Sequence, residues 1–211
     1  MTLSDKALAT RQRILSAATE LFYQHGYHAT GLDKIIRQAG VTKGNFYYHF
    51  ASKEELAVAT LDWQFEKISR EIREQVLDKD RRPLDTLFVL LEYMASRQKM
   101  QYEDGHIRGC YFGNFTLELS TLSQSVRTEV NGIFRRYLEM IESLLTQAQS
   151  AGQVASDLDP HSFAAIILGQ VEGAILLDKA NQKPEQFDAS IDFIRQCLNP
   201  KTLGPGHIEV P

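Results

Sequence analysis

The sequence has little cysteine, no convincing strand pattern and no internal repeat. Among its 211 residues only Cys110 and Cys197 are cysteines, too few for a disulfide scaffold. No apolar run approaching the roughly 20 residues of a membrane span stands out, and Met1 to Arg13 is polar, without the apolar core of a secretory signal. These absences predict a cytoplasmic protein with no membrane partner. Catalytic and metal signatures are missing too. Gly26 to Gly31 has the spacing of a phosphate loop, but Leu32 stands where the lysine is needed. His25 and His28 lack a carboxylate or cysteine cluster to complete a metal site. Cys110 has no catalytic signature around it that would pair it with a histidine. No enzyme activity, cofactor or metal is therefore expected, and an α-helical enzyme is the remote alternative.

What is present suits a folded chain of one or two domains, with 43% apolar and 24% charged residues. The net charge of −4 disfavours nucleic acid weakly, but the charge is uneven. Residues 1–60 hold seven Lys and Arg against five Asp and Glu, a local +2 that leaves −6 for the remainder. A mildly basic head on an acidic body fits a DNA-reading module joined to something that does not touch DNA.

Periodicity predicts an all-α chain of about nine helices. Ile14, Leu15, Ala18, Leu21 and Phe22 form an apolar stripe over 10–25 that stops at Gly26. Thr30 reads as the N-cap of a short helix closed by Gly40, and Thr42 as the N-cap of another running to about Tyr48. Ser52 and Glu55 form a capping box that opens a helix to about Leu77. Further helices are expected from Pro83 to about Lys99, within Cys110 to Leu119, from Ser123 to Ala151, from Pro160 to about Ala180, and from Pro184 to about Leu198. The tail, residues 201–211, holds two Gly and two Pro and is expected to be loose.

Two short helices about a turn at Gly40 read as a helix-turn-helix, with Ile36, Ala39, Val41 and Phe46 at the crossing. The second helix then presents Thr42, Lys43, Asn45, Tyr47, Tyr48 and His49, rich in donors and flat rings, as a groove-entering helix requires. Short capped helices about a glycine also occur in other all-α folds, with such tyrosines partly in the core.

The string Ile14-Leu15-x-x-Ala18, Leu21-Phe22, Gly26-Tyr27, Thr30, Ile35-Ile36-x-x-Ala39-Gly40-Val41-Thr42-Lys43-Gly44-Asn45-Phe46-Tyr47-Tyr48-His49-Phe50 and Ser52-Lys53-Glu54-Glu55-Leu56 narrows the choice. From Arg13 to Leu56 the chain resembles the head of the tetracycline-repressor (TetR) family. One departure is Asn45, where that family often has a small hydroxyl residue or glycine. The resemblance implies phosphate contacts from Thr30, Tyr48, His49 and Lys53, and base or groove contacts from Thr42, Lys43, Gly44, Asn45 and Tyr47. Arg11 and Arg13 could touch flanking DNA or form a solvated arm; Phe46 and Phe50 read as core. It also implies a division into a DNA-binding domain (1–52), a sensing and dimerisation domain (53–200) and the tail (201–211).

In the body, the resemblance implies a homodimer through the last two long helices and a pocket for a small organic effector. Small residues Ala164, Ala165, Gly169, Gly173 and Ala174, with Phe187, Ile191, Ile194 and Leu198, suit the dimer surface, and an intramolecular core is the alternative. The candidate pocket comprises Trp63, Phe88, Tyr111, Phe112, Phe115, Phe134 and Tyr137, with Glu118, Gln170 and Glu172 as polar groups. Plain core packing is the alternative for each ring. The string Arg108-Gly109-Cys110-Tyr111-Phe112-Gly113-Asn114-Phe115-Thr116-Leu117-Glu118-Leu119, with Glu172-Gly173-Ala174 and Lys179, resembles the subgroup of N-ethylmaleimide- and acrylate-responsive repressors. There, a cysteine at the position of Cys110 reports electrophiles or oxidants. A thiol at a helix start near Arg108 or Lys179 has the right chemistry, whereas a buried cysteine is otherwise a small hydrophobe. The function implied is a repressor that binds a pseudo-palindromic double-stranded operator as a dimer and is released by an organic or electrophilic effector. The alternative is a DNA-binding factor of the same fold controlled by a protein partner or by no small molecule.

Overall fold

A computed structural model describes residues 5–103 and 105–198; the expected tail at 201–211 lies outside them. The described residues form helices and no strands, as expected: α1 (Asp5–His25), α2 (Leu32–Gln38), α3 (Lys43–His49), α4 (Lys53–Ile72), α5 (Pro83–Glu103), α6 (Tyr111–Leu119), α7 (Gln124–Ser150), α8 (Pro160–Asn181) and α9 (Gln186–Leu198). By packing they fall into two compact units, residues 5–70 with 110–134 and residues 71–103 and 105–109 with 135–198. The division expected at residue 52 is one of role and does not coincide with this packing.

In the first unit, α1 buries the predicted stripe of Ile14, Leu15, Ala18, Leu21 and Phe22. Its described residues begin at Asp5, earlier than the stripe suggested, and Ala7, Leu8 and Ala9 there are strong helix formers. The α2–α3 turn is a Schellman closure. Gly40 takes φ +62°, its N–H reaches Arg37 O at 3.1 Å, and Val41 N–H reaches Ile36 O at 3.2 Å. Thr42 caps α3 as predicted, its hydroxyl accepting from Asn45 N–H at 3.2 Å. Ser52 accepts from Glu55 N–H at 3.0 Å, while the Glu55 carboxylate returns to Ala51 N–H at 2.7 Å.

Thr30 is corrected. The N-cap of α2 is Gly31, and no side chain caps that helix. Thr30 is fully buried, its hydroxyl directed at Gly26 O (2.7 Å) and Leu21 O (3.2 Å). Carbonyls at the end of α1 need donors, and the buried hydroxyl supplies one.

In the second unit, the stretch expected to continue α4 widens into a π turn over Arg73–Leu77, with Asp78 N–H on Arg73 O at 2.9 Å. It packs against α5, which runs past Lys99 to Glu103. Helix α8 starts with Asp159 as N-cap and Pro160 in its first turn, and packs on α9. Asp178, fully buried on α8, caps α9: its Oδ1 accepts from Glu185 N–H (3.0 Å) and Gln186 N–H (2.8 Å). Phe187, Ile191, Ile194 and Leu198 on α9, and Ala164 and Ala174 on α8, are buried within the protomer. Those six residues are core, which corrects their candidacy as a dimer surface. Helix α8 also corrects the expectation that no stretch has the length of a membrane span: it passes that test by length and composition, with 33% of the stretch buried.

Space is not the constraint at Gly40, since an added Cβ would lie 3.7 Å from its nearest neighbour, an Arg13 guanidinium nitrogen. The backbone is. Gly40→Ala should therefore lower unfolding stability by roughly 1–2 kcal/mol in urea titration. An unchanged midpoint would show that the turn relaxes without strain.

Candidate nucleic-acid interface

Helix α3 has one inward anchor. Phe46 has no exposed surface, and its ring lies 5.9 Å from that of buried Phe50. With Phe46 inward, Thr42, Lys43, Gly44, Asn45, Tyr47 and Tyr48 are exposed together. Tyr47 is 48% and Tyr48 71% exposed, so two large aromatic residues that carry polar hydroxyls reach solvent. His49 is half-buried beneath Tyr48, their ring centroids 4.9 Å apart. Burial, then the positive charge of Arg11, lowers the His49 pKa from its usual value. The Arg11 guanidinium lies 5.0 Å over the Phe50 ring, so this residue is held against the head. Arg13 Nη1 lies 3.5 Å from Gly40 O, at the α2–α3 turn. Nothing within 4 Å would meet a Cβ at Gly44, leaving its surface open to close approach.

Lys53 sits differently from a free phosphate ligand. Its ammonium donates to Tyr27 O at 2.6 Å and lies 4.0 Å from the Tyr27 ring centroid. Burial lowers its pKa, opposed by the negative charge of Glu118. Next to it, Glu54 accepts from Ser123 and Ser125 hydroxyls, each at 2.6 Å, tying the first turn of α4 to the start of α7. Sequence reasoning missed this contact, because its partners lie 69 and 71 residues away.

Of the expected effector residues, the first unit brings Tyr111, Phe112 and Phe115 together, all buried on α6. The Tyr111 ring lies 5.0 Å from Phe115, and its hydroxyl donates to Thr60 Oγ1 at 3.0 Å. Burial pushes this phenol well above the usual tyrosine range. Trp63 and Phe134 are half-buried in the same unit. Glu118 leaves the aromatic set: its carboxylate accepts from Tyr27 N–H and His28 N–H, each at 3.2 Å. In the second unit, Phe88 and Tyr137 are buried, with the Arg195 guanidinium 4.1 Å over Phe88. Gln170 donates to Ser190 at 3.1 Å, and Glu172 is half-buried.

Cys110 is the N-cap of α6, its sulfur accepting from Gly113 N–H at 3.4 Å, and it is half-buried. Lys179 belongs to the second unit, in the last turn of α8. Among the described residues no cluster of His, Cys, Asp and Glu could hold a metal.

Hydrogen bonds from Ser123 and Ser125 hold the Glu54 carboxyl below its usual pKa. The contact therefore adds stability above the unfolded-state carboxylate pKa, and that stability is lost as pH falls through the depressed folded value. Replacing both serines by alanine should raise the Glu54 pKa, followed by carboxyl-carbon NMR titration. An unmoved titration would show that the hydroxyls do not act on this carboxylate.

Comparison with known proteins agrees with this geometry. Residues 14–60 match the family described as "Bacterial regulatory proteins, tetR family", and residues 83–194 match "Tetracyclin repressor-like, C-terminal domain". The chain is 32% identical over 192 residues to the HTH-type transcriptional repressor DhaR of Mycobacterium sp. strain GP1, covering 91% of this chain and 93% of that one. The crystal structure of regulatory protein TetR from Rhodobacter sphaeroides superposes with a TM-score of 0.79 at 25% identity, covering 88% and 97% of the two chains. The reduced form of E. coli NemR gives a TM-score of 0.83 at 21% identity, covering 90% and 97%. A wholly buried Phe46 turning a polar, aromatic α3 face outward, in a chain that matches at both ends, makes this protein a member of the tetR family of helix-turn-helix, DNA-binding bacterial regulators.

Proposed function

We propose that this protein is a homodimeric repressor that binds a pseudo-palindromic operator in the cytoplasm and releases it when a small organic or electrophilic effector binds. Residues 1–52 read the DNA, helped by Lys53 at the start of the next domain, and residues 53–200 sense and dimerise. The observation that carries the reading is the exposed face of α3 opposite buried Phe46. Lys43, Asn45 and Tyr47, with the open surface at Gly44, enter the major groove; Tyr48, His49 and Lys53 meet phosphates. Thr30 takes no part, its hydroxyl being buried.

The dimer surface is the part of α8 and α9 that the protomer leaves open. Ile166, Leu176 and Leu177 on α8 and Phe193 on α9 are each more than half exposed, and Gly169 and Gly173 have open space where a side chain would stand. Exposed large apolar residues beside open glycines suit close helix pairing. Two such heads would meet half-sites roughly 34–36 Å apart. The effector is held by aromatic residues of the body, and its binding shifts the population away from the DNA-competent arrangement of the heads, with α4 carrying the change.

Selection of bound sequences from random DNA should yield an inverted repeat; recovery of no sequence preference would overturn the reading. On the selected operator, Lys53→Ala should flatten the dependence of log affinity on log salt by about 1.8, or about 0.9 for each phosphate neutralised by one Lys53 of the dimer. An unchanged slope would confine Lys53 to its Tyr27 contact. Asn45→Ala should change preference at particular bases, at about 1–3 kcal/mol each; equal losses on every sequence would assign it to the backbone.

Cys110 is the proposed electrophile sensor, placed where an N-terminal helix dipole favours a thiolate. Alkylation of the purified protein with N-ethylmaleimide should release the operator, and Cys110→Ser should abolish that release. Undiminished binding with Cys110 fully modified would remove the cysteine from the mechanism.

A further inference from the structure

The motif that contains Cys110 near its start contains Glu118 near its end, and neither DNA contact nor effector binding gives this carboxylate a task. Glu118 lies in the last turn of α6. Its Oε1 accepts from Tyr27 N–H and its Oε2 from His28 N–H, both at 3.2 Å. The two amides point the same way because Gly26 before them takes φ +80°. Successive N–H groups beside a left-handed residue form a concave nest for an anion, and here the anion comes from the same chain. A Cβ at Gly26 would also meet Glu118 Oε1 at 2.7 Å, so any larger residue there displaces the carboxylate from the two amides. Lys53 holds the other side of this corner, its ammonium on Tyr27 O at 2.6 Å. The Phe115 ring, one turn before Glu118, lies 5.7 Å from Phe22 and 6.3 Å from Tyr27, so the carboxylate arrives on a packed helix face.

We propose that Glu118 is a positioning residue for DNA binding, which pins the α1–α2 corner to α6 and thereby sets where α2 and α3 stand. It acts through the Tyr27 and His28 amides and does not touch DNA. The proposal rests on the reading of α3 as the DNA-contacting helix. The chemistry is specific to a carboxylate. Two parallel donors require two acceptor oxygens, and a carboxamide of equal size offers one oxygen and one N–H₂ that opposes the second amide. Without the carboxylate, the corner keeps its buried tie at Thr30, but the Tyr27 and His28 amides lose the acceptor that Glu118 gives each of them.

Glu118→Gln tests this on the full chain, once circular dichroism shows that helix content and cooperative melting are kept. Hydrogen exchange at Tyr27 and His28 should accelerate at least about tenfold, as for loss of one charge-assisted hydrogen bond, with α1 from Ile14 to Leu21 unchanged. Affinity for the operator selected from random DNA should fall about tenfold. Its salt dependence should run parallel to the parent's, because no phosphate contact is removed. Parent affinity despite faster exchange would overturn the proposal, as would unchanged protection or an altered salt slope, which marks a charge effect on DNA. Gly26→Ala attacks the same contact from the backbone side, so the double variant should bind no more weakly than the weaker single one; additive losses would overturn it. If the parent protein selects no DNA sequence, the reading of α3 fails, while the exchange measurement still decides whether Glu118 holds the corner.

Discussion

Where α1 ends and α2 begins, the chain reverses within a few residues and has to satisfy the backbone groups that both helix ends leave unpaired. The head depends on how it does so. Thr30 closes the carbonyl side from within, on Gly26 O and Leu21 O. Lys53 of α4 takes Tyr27 O, and Glu118 of α6 takes the Tyr27 and His28 amides. Three side chains, far apart in sequence, thus converge on one corner. Their polar contacts are joined by apolar ones, with Phe22, Tyr27 and Phe115 in mutual ring contact beside them. The orientation of α2 and α3 is in this way a property of α4 and α6 as much as of the first fifty residues.

What could be read from the sequence was local. The Thr42 cap, the Gly40 closure and the Ser52–Glu55 contact each span a few residues, so residue type and spacing specify them. The inward position of Phe46 and the exposed face of Lys43 to Tyr48 follow from helical period and were equally visible. Thr30 misled because two uses compete for such a residue at a helix start. A cap on the following helix is the common one, but the carbonyl end of the preceding helix lay closer. Glu118 was singled out by its motif and given the wrong surroundings, since its partners are 91 and 90 residues away and spacing carries no record of them. The apolar stripe on α9 shows the same limit. Periodicity reveals that a face is covered, but not whether its own chain or another covers it.

Helix α8 makes that limit concrete. One side carries Ile167, Leu168, Val171 and Ile175 into the core, while Ile166, Leu176 and Leu177 remain outside. A helix apolar on both sides meets the compositional test for a bilayer span, yet here it packs on α9 and carries a buried carboxylate, Asp178, that caps its neighbour. Composition alone cannot separate a lipid-facing surface from one that awaits a helix. The open glycines at 169 and 173 favour the latter, because small residues let another helix backbone come close.

At the other end of the Glu118 motif, the first turn of α6 is held by the sulfur of Cys110. Sulfur is a weak acceptor, so this cap is a soft one compared with the oxygen caps on α3 and α8. It is also the one whose acceptor atom is a nucleophile. A reagent that forms a bond to Cys110 therefore acts on the atom that caps the helix. Chemical event and mechanical event share an atom, and the helix that begins there ends on the corner that orients the head.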